Sequence, residues 1–84
     1  MNVYEYCRAL GPEVLKDMEA AGLVRPEIRR YVYIYEQVRA RLAEGLGRVE
    51  AMETTGERCF TSYGNVRKIC RMMEADFTSC RDVK

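Results

Sequence analysis

Four short interruptions divide this sequence into five pieces, and in each piece apolar residues return at three- and four-residue steps. The interruptions are Gly11-Pro12, Gly22 through Pro26, Gly45 to Gly47, and Thr61-Ser62. Gly costs a helix interior about 1 kcal/mol relative to Ala and Pro about 3 kcal/mol, so such clusters end helices rather than sit inside them. Eighty-four residues cut this way leave room for one small domain of short helices. The expected fold is all-α: a compact bundle of about five helices over residues 1–77, followed by a polar flexible tail at 78–84.

The first stretch, residues 3–10, places Val3, Tyr4, Cys7 and Leu10 on one side. The second, 12–21, opens on Pro12, whose missing N–H would be unpaired there anyway, and Glu13 sits at the positive end of the helix dipole. Val14, Leu15, Met18 and Ala21 share its face. Gly22 caps its end, with Leu23 folding back on the last turn. In the third, 26–44, Ile28, Tyr31, Val32, Tyr35, Val38 and Leu42 form a stripe, and Tyr33 points away from it. A strand at residues 31–35 is the competing reading, since Tyr, Val and Ile suit sheets. Its charged, helix-forming flanks and the lack of a partner strand exclude it. The fourth, 48–59, puts Val49, Met52, Gly56 and Cys59 together. The fifth, 63–75, is capped by Ser62 and gathers Val66, Ile69, Cys70 and Met73 on one stripe.

Several function classes fall away on composition. The chain has no His, which excludes Ser-His and Cys-His catalysis and every His-ligated metal site. Its longest apolar run is five residues, Tyr31 to Tyr35, too short for a membrane span or a secretory signal. With no export signal and no Cys-x-x-Cys pair, Cys7, Cys59 and Cys70 read as reduced fillers in a cytoplasmic protein, and Cys80 as an exposed thiol. Glu50, Glu53 and Glu57 form a row that could hold a cation or act as an acid–base pair, but such rows are usually a solvated helix face. Gly45 and Gly47 lack the Gly-Lys of a phosphate loop. No enzyme, catalytic residue, metal or cofactor is expected.

The net charge is only +1, yet the charge is segregated. Between Arg58 and Met72 stand four of the 14 cations, Arg58, Arg67, Lys68 and Arg71, and no acid; all 13 acids lie elsewhere. Two helices joined by so short a turn must cross and touch. Gly56 supplies the small residue at the crossing, and Val66 and Ile69 supply its apolar neighbours on the next helix.

Residues 52–73 resemble the helix-turn-helix DNA-binding motif: a helix with a small residue at the crossing (Gly56), an apolar position three further on (Cys59), a turn, and a recognition helix opened by Ser62 and anchored by Val66 and Ile69. Residues 35–74 look like small phage and mobile-element proteins. The family commonly has a left-handed Gly in the turn, where this chain has Phe60, and an aliphatic residue next, where it has Thr61. A bulky residue is strained in left-handed backbone, so the turn is expected to be reshaped or to sit one residue over.

The resemblance implies a C-terminal helix-turn-helix that binds double-stranded DNA, with the fifth helix in the major groove, in a transcriptional regulator. Ser62, Tyr63 and Gly64 would approach bases or phosphates, with Asn65 to the side. Arg67 would read guanine, and Lys68, Arg71, Arg58 and Arg48 would meet phosphates. So few contacts imply a homodimer reading two half-sites. Tyr33, Tyr4, Tyr6 and the tail after Phe77 are the candidate seam. The rival is a protein-binding adaptor or inhibitor that docks through Tyr33 and the Met72–Met73 pair.

Overall fold

Local chemistry sets each helix boundary in the computed structural model, which describes residues 2–75. The order is α1 Val3–Leu10, α2 Pro12–Ala20, α3 Ile28–Ala43, α4 Arg48–Arg58 and α5 Tyr63–Glu74, with no strand among the described residues. The all-α expectation and the count of five hold. The third helix starts two residues later than expected, at Ile28 after an uncapped Glu27.

Asn2 opens α1 with a reciprocal cap. Its Oδ1 accepts from the Glu5 N–H at 2.8 Å, and the Glu5 carboxylate accepts from the Asn2 N–H at 3.0 Å. Ser62 caps α5 by accepting from the Asn65 N–H at 3.1 Å.

Three helices end in the same double hydrogen bond. After α2, Leu23 N–H reaches Met18 C=O and Gly22 N–H reaches Glu19 C=O; after α3, Leu46 pairs with Arg41 and Gly45 with Leu42. Both ends need a left-handed residue, and Gly22 and Gly45 supply it at φ 76° and 99°. After α4 the same pattern returns, Thr61 to Gly56 at 2.9 Å and Phe60 to Glu57 at 3.4 Å, but its left-handed residue is Phe60 at φ 57°. The turn is therefore neither reshaped nor displaced. Phe60 itself takes the glycine conformation, because the two terminal hydrogen bonds hold it there.

The core lies where α3, α4 and α5 pack on one another. Ile34, Val38, Ala51, Met52, Val66, Ile69, Cys70 and Met73 are all buried there. Helix α1 packs on α2 and α5, and α2 packs on α3. Tyr4 of α1 meets Tyr35 edge-on at 4.8 Å, and the Arg39 guanidinium lies 5.1 Å from the Tyr4 ring centre. The Val3 N–H donates to Ala75 C=O at 3.0 Å, tying the start of α1 to the end of α5.

Several expected faces are rotated. Ile34, which lay off the expected stripe of α3, is fully buried, while Ile28, Tyr31, Val32 and Leu42 are only half-buried. On α4, Val49 is exposed, and Ala51 and Thr55 take the core positions. Val14 and Leu23 are exposed, so Leu23 folds back through its backbone alone. Tyr4 is buried and cannot serve a dimer seam. Cys7 and Cys70 are buried, burial pushes both thiols up, and Cys59 is half-buried; none of the three is in a disulfide. The expected tail, Phe77 and Cys80 lie outside the described residues.

No described helix is long and apolar enough to cross a membrane.

Candidate nucleic-acid interface

Gly56 decides how closely α4 and α5 meet. A Cβ built there would lie 2.9 Å from the Thr61 carbonyl oxygen and 3.5 Å from a methyl of Val66. Essentially no side-chain carbon sits that near a backbone oxygen, so only Gly lets the turn fold back against its own helix. The expected pairing of Gly56 with Val66 is thus observed. The four residues 59–62 then reverse the chain, and Asn65 Nδ2 donates to Thr61 Oγ1 at 2.7 Å, clamping the turn to the first turn of α5. Asn65 is spent on this contact.

Burying Val66, Ile69, Cys70 and Met73 forces the opposite arc of α5 outward. Tyr63, Gly64, Arg67, Lys68 and Arg71 occupy that arc and are all exposed, as is Ser62 at the cap. At 100° per residue they cover about 140° of the helix. Arg67, Lys68 and Arg71 make no hydrogen bond or ion pair with a described residue. Nothing adds a Cβ neighbour at Gly64 within 4 Å, so the backbone there is open to close approach.

Tyr63, Arg67 and Arg71 face Arg48, Val49 and Met52 of α4 across an open groove of about 440 Å³ with no acidic residue in its wall. Arg48 is not free: its Nη2 donates to Glu74 at 2.8 Å, which strengthens its hold on its proton. The same carboxylate accepts from the Tyr35 hydroxyl at 3.1 Å. Glu74 therefore fastens the end of α5 to both α3 and α4, and fixes the angle of the exposed arc.

Arg58 stands apart from this group. It is exposed, but it lies about 15 Å along α4 from Arg48 and lines different cavities, with Arg41 of α3. The Met72–Met73 pair is no docking surface, because Met73 is fully buried and Met72 half-buried. Glu50, Glu53 and Glu57 are exposed along α4.

Sequence reasoning missed Arg30, whose Nη2 donates to the Cys59 carbonyl at 2.9 Å and braces the turn from α3. No local pattern announces a contact 29 residues apart.

Comparison with known proteins gave nothing further: no family model matches the chain, nor does any curated protein or solved structure.

Proposed function

We propose that this protein binds double-stranded DNA as a sequence-reading transcriptional regulator, using α4, the turn and α5 as a helix-turn-helix with α5 in the major groove. The observation that carries the reading is the outer arc of α5, with three exposed cations, no acid and no ion pair to a described residue. A groove about 12 Å wide admits such a helix. Ser62, Tyr63 and Gly64 at its amino end approach bases and phosphates, where the helix dipole also favours an anion. Arg67 reads guanine, and Lys68, Arg71 and Arg48 hold phosphates. Arg58 reaches a phosphate only outside the α5 groove.

Three or four phosphate contacts give a salt slope of about −3 to −4. With net charge +1 the monomer binds weakly, so a homodimer reads two half-sites, its seam in the amino-terminal half near exposed Tyr6 and Tyr33.

Selection of bound sites from random duplex DNA, followed by anisotropy titration between about 50 and 200 mM salt, tests the reading. A recurring site should emerge. Arg67→Ala should relax one base pair by about 1–3 kcal/mol, and Arg71→Ala should lower the salt slope by about 1. If both variants keep their helical signal and bind like the parent, the reading is wrong. The adaptor reading, supported by the exposed rings of Tyr33 and Phe60, then takes its place.

A further inference from the structure

A second cavity, of about 280 Å³, opens where α3 faces the end of α4 and the turn. It shares no residue with the α5 groove. Arg30, Tyr33 and Arg41 line it from α3, Thr55 and Arg58 from α4, and Phe60 from the turn.

Its chemistry is lopsided. Three guanidiniums line it and no carboxylate does. Arg30 is engaged with Cys59 and Arg41 with Gln37, but Arg58 has no partner among the described residues. Thr55 has no exposed surface, and its Oγ1 makes no hydrogen bond. The rim carries two aromatic rings, Tyr33 at 58% and Phe60 at 93% exposure. The volume lies just below the range of ligand pockets, about 300–1,000 Å³, which suits a small molecule and not a helix.

We propose that this cavity binds a small planar aromatic anion, a ring carrying a carboxylate or a phosphate. The guanidiniums of Arg58 and Arg41 hold the anionic group. Phe60 and Tyr33 cover the ring, and Thr55 closes the floor of the cavity beneath it. The site shares Tyr33 and Arg58 with the DNA-binding reading but none of the α5 groove, so its test does not depend on that reading.

The test is an amide chemical-shift titration of the intact chain with four probes: 2-naphthoate, adenosine monophosphate, uncharged 2-naphthol and inorganic phosphate. At least one of the two planar anions should shift residues 55–61 saturably, with a Kd of about 1 mM or tighter. Which of them binds tells carboxylate from nucleotide. Naphthol and phosphate alone should bind about tenfold more weakly or worse. Arg58→Ala should weaken the anion about ten- to a hundredfold. Phe60→Ala, which removes the ring at an exposed position, should also weaken it, whereas Arg71→Ala should leave it unchanged. Saturable shifts absent for both anions, shifts centred on Arg67 and Arg71, or full affinity in both Arg58→Ala and Phe60→Ala would each overturn the proposal.

Discussion

Phe60→Gly is expected to stabilise this protein, although it deletes a large apolar side chain. Phe60 sits at φ 57°, where an L-residue is strained by about 1–2 kcal/mol. Glycine relieves that strain and gives back about 0.4–1 kcal/mol through the greater freedom of the unfolded chain. The burial lost is small, because Phe60 is 93% exposed. The covered remainder of a side chain of roughly 200 Å² is about 14 Å², or about 0.35 kcal/mol at 25 cal/mol/Å². Central values leave a net gain of about 0.5 kcal/mol, which raises Tm by about 2–4 °C in a chain of this size.

Phe60→Ala is the control. It loses the same small burial but keeps a Cβ in left-handed backbone, so its stability should not exceed the parent's. Urea and thermal unfolding of the three proteins, read by helical signal with m-values unchanged, give the comparison. Glycine no more stable than alanine would refute the reasoning, because strain at Phe60 would then not be what separates them.

Two further perturbations have worked signs. Gly56→Ala adds a Cβ 2.9 Å from the Thr61 carbonyl, so the roughly 1 kcal/mol of helix propensity is outweighed by about 1–3 kcal/mol of overpacking, whereas Gly64→Ala meets nothing within 4 Å and should gain up to about 1 kcal/mol. Opposite shifts in urea midpoint are expected, and equal gains would remove the close approach as the reason for Gly56. Tyr35 is pushed up to about 12, first by burial and then by its hydrogen bond to Glu74. The folded state keeps that proton longer than the unfolded state, so this contribution is whole below about pH 10 and is lost as pH climbs toward 12. The buried thiols of Cys7 and Cys70, also raised by burial, add a loss of the same sign. Tyr35→Phe should be about 1 kcal/mol less stable at neutral pH, yet should fall less than the parent by about pH 11 in urea midpoints; an identical alkaline fall in both proteins would exclude Tyr35.

What the sequence disclosed was local. Gly56, the short polar turn and Ser62 lie within seven residues, and their expected roles hold in the structure. Helix ends were legible for the same reason, since Gly22, Gly45 and Pro12 act on their own neighbours. The faces of α3 and α4 were less so. A helix packed against one neighbour buries a single narrow stripe, but α3 touches α2, α4 and α5, and α4 touches both α3 and α5. Their buried arcs widen to take in Ile34, Ala51 and Thr55. The Arg30–Cys59 brace and the cavity of Arg41, Arg58 and Thr55 depend wholly on that packing, and no spacing rule reaches across it.

Phe60 is where local rule and local residue part, and the other helix ends give the contrast its force. The chain closes α2 and α3 with Gly22 and Gly45 in the same hydrogen-bonded arrangement, so an unstrained solution to this problem is already in use twice. The third end keeps a phenylalanine whose ring gains almost nothing from its own core. Its strain is offset by the two hydrogen bonds that close α4 and not by burial of the ring. Phe60 borders a cavity of unneutralised guanidiniums on one side and leads into α5, with its cationic arc, on the other. Thr61 and Ser62, the residues that clamp and cap α5, follow it directly. The strain and the two cationic surfaces therefore meet at one corner. The physical reason is that a turn tight enough to need Gly56 at its base leaves the Phe60 ring almost nothing of its own chain to pack against.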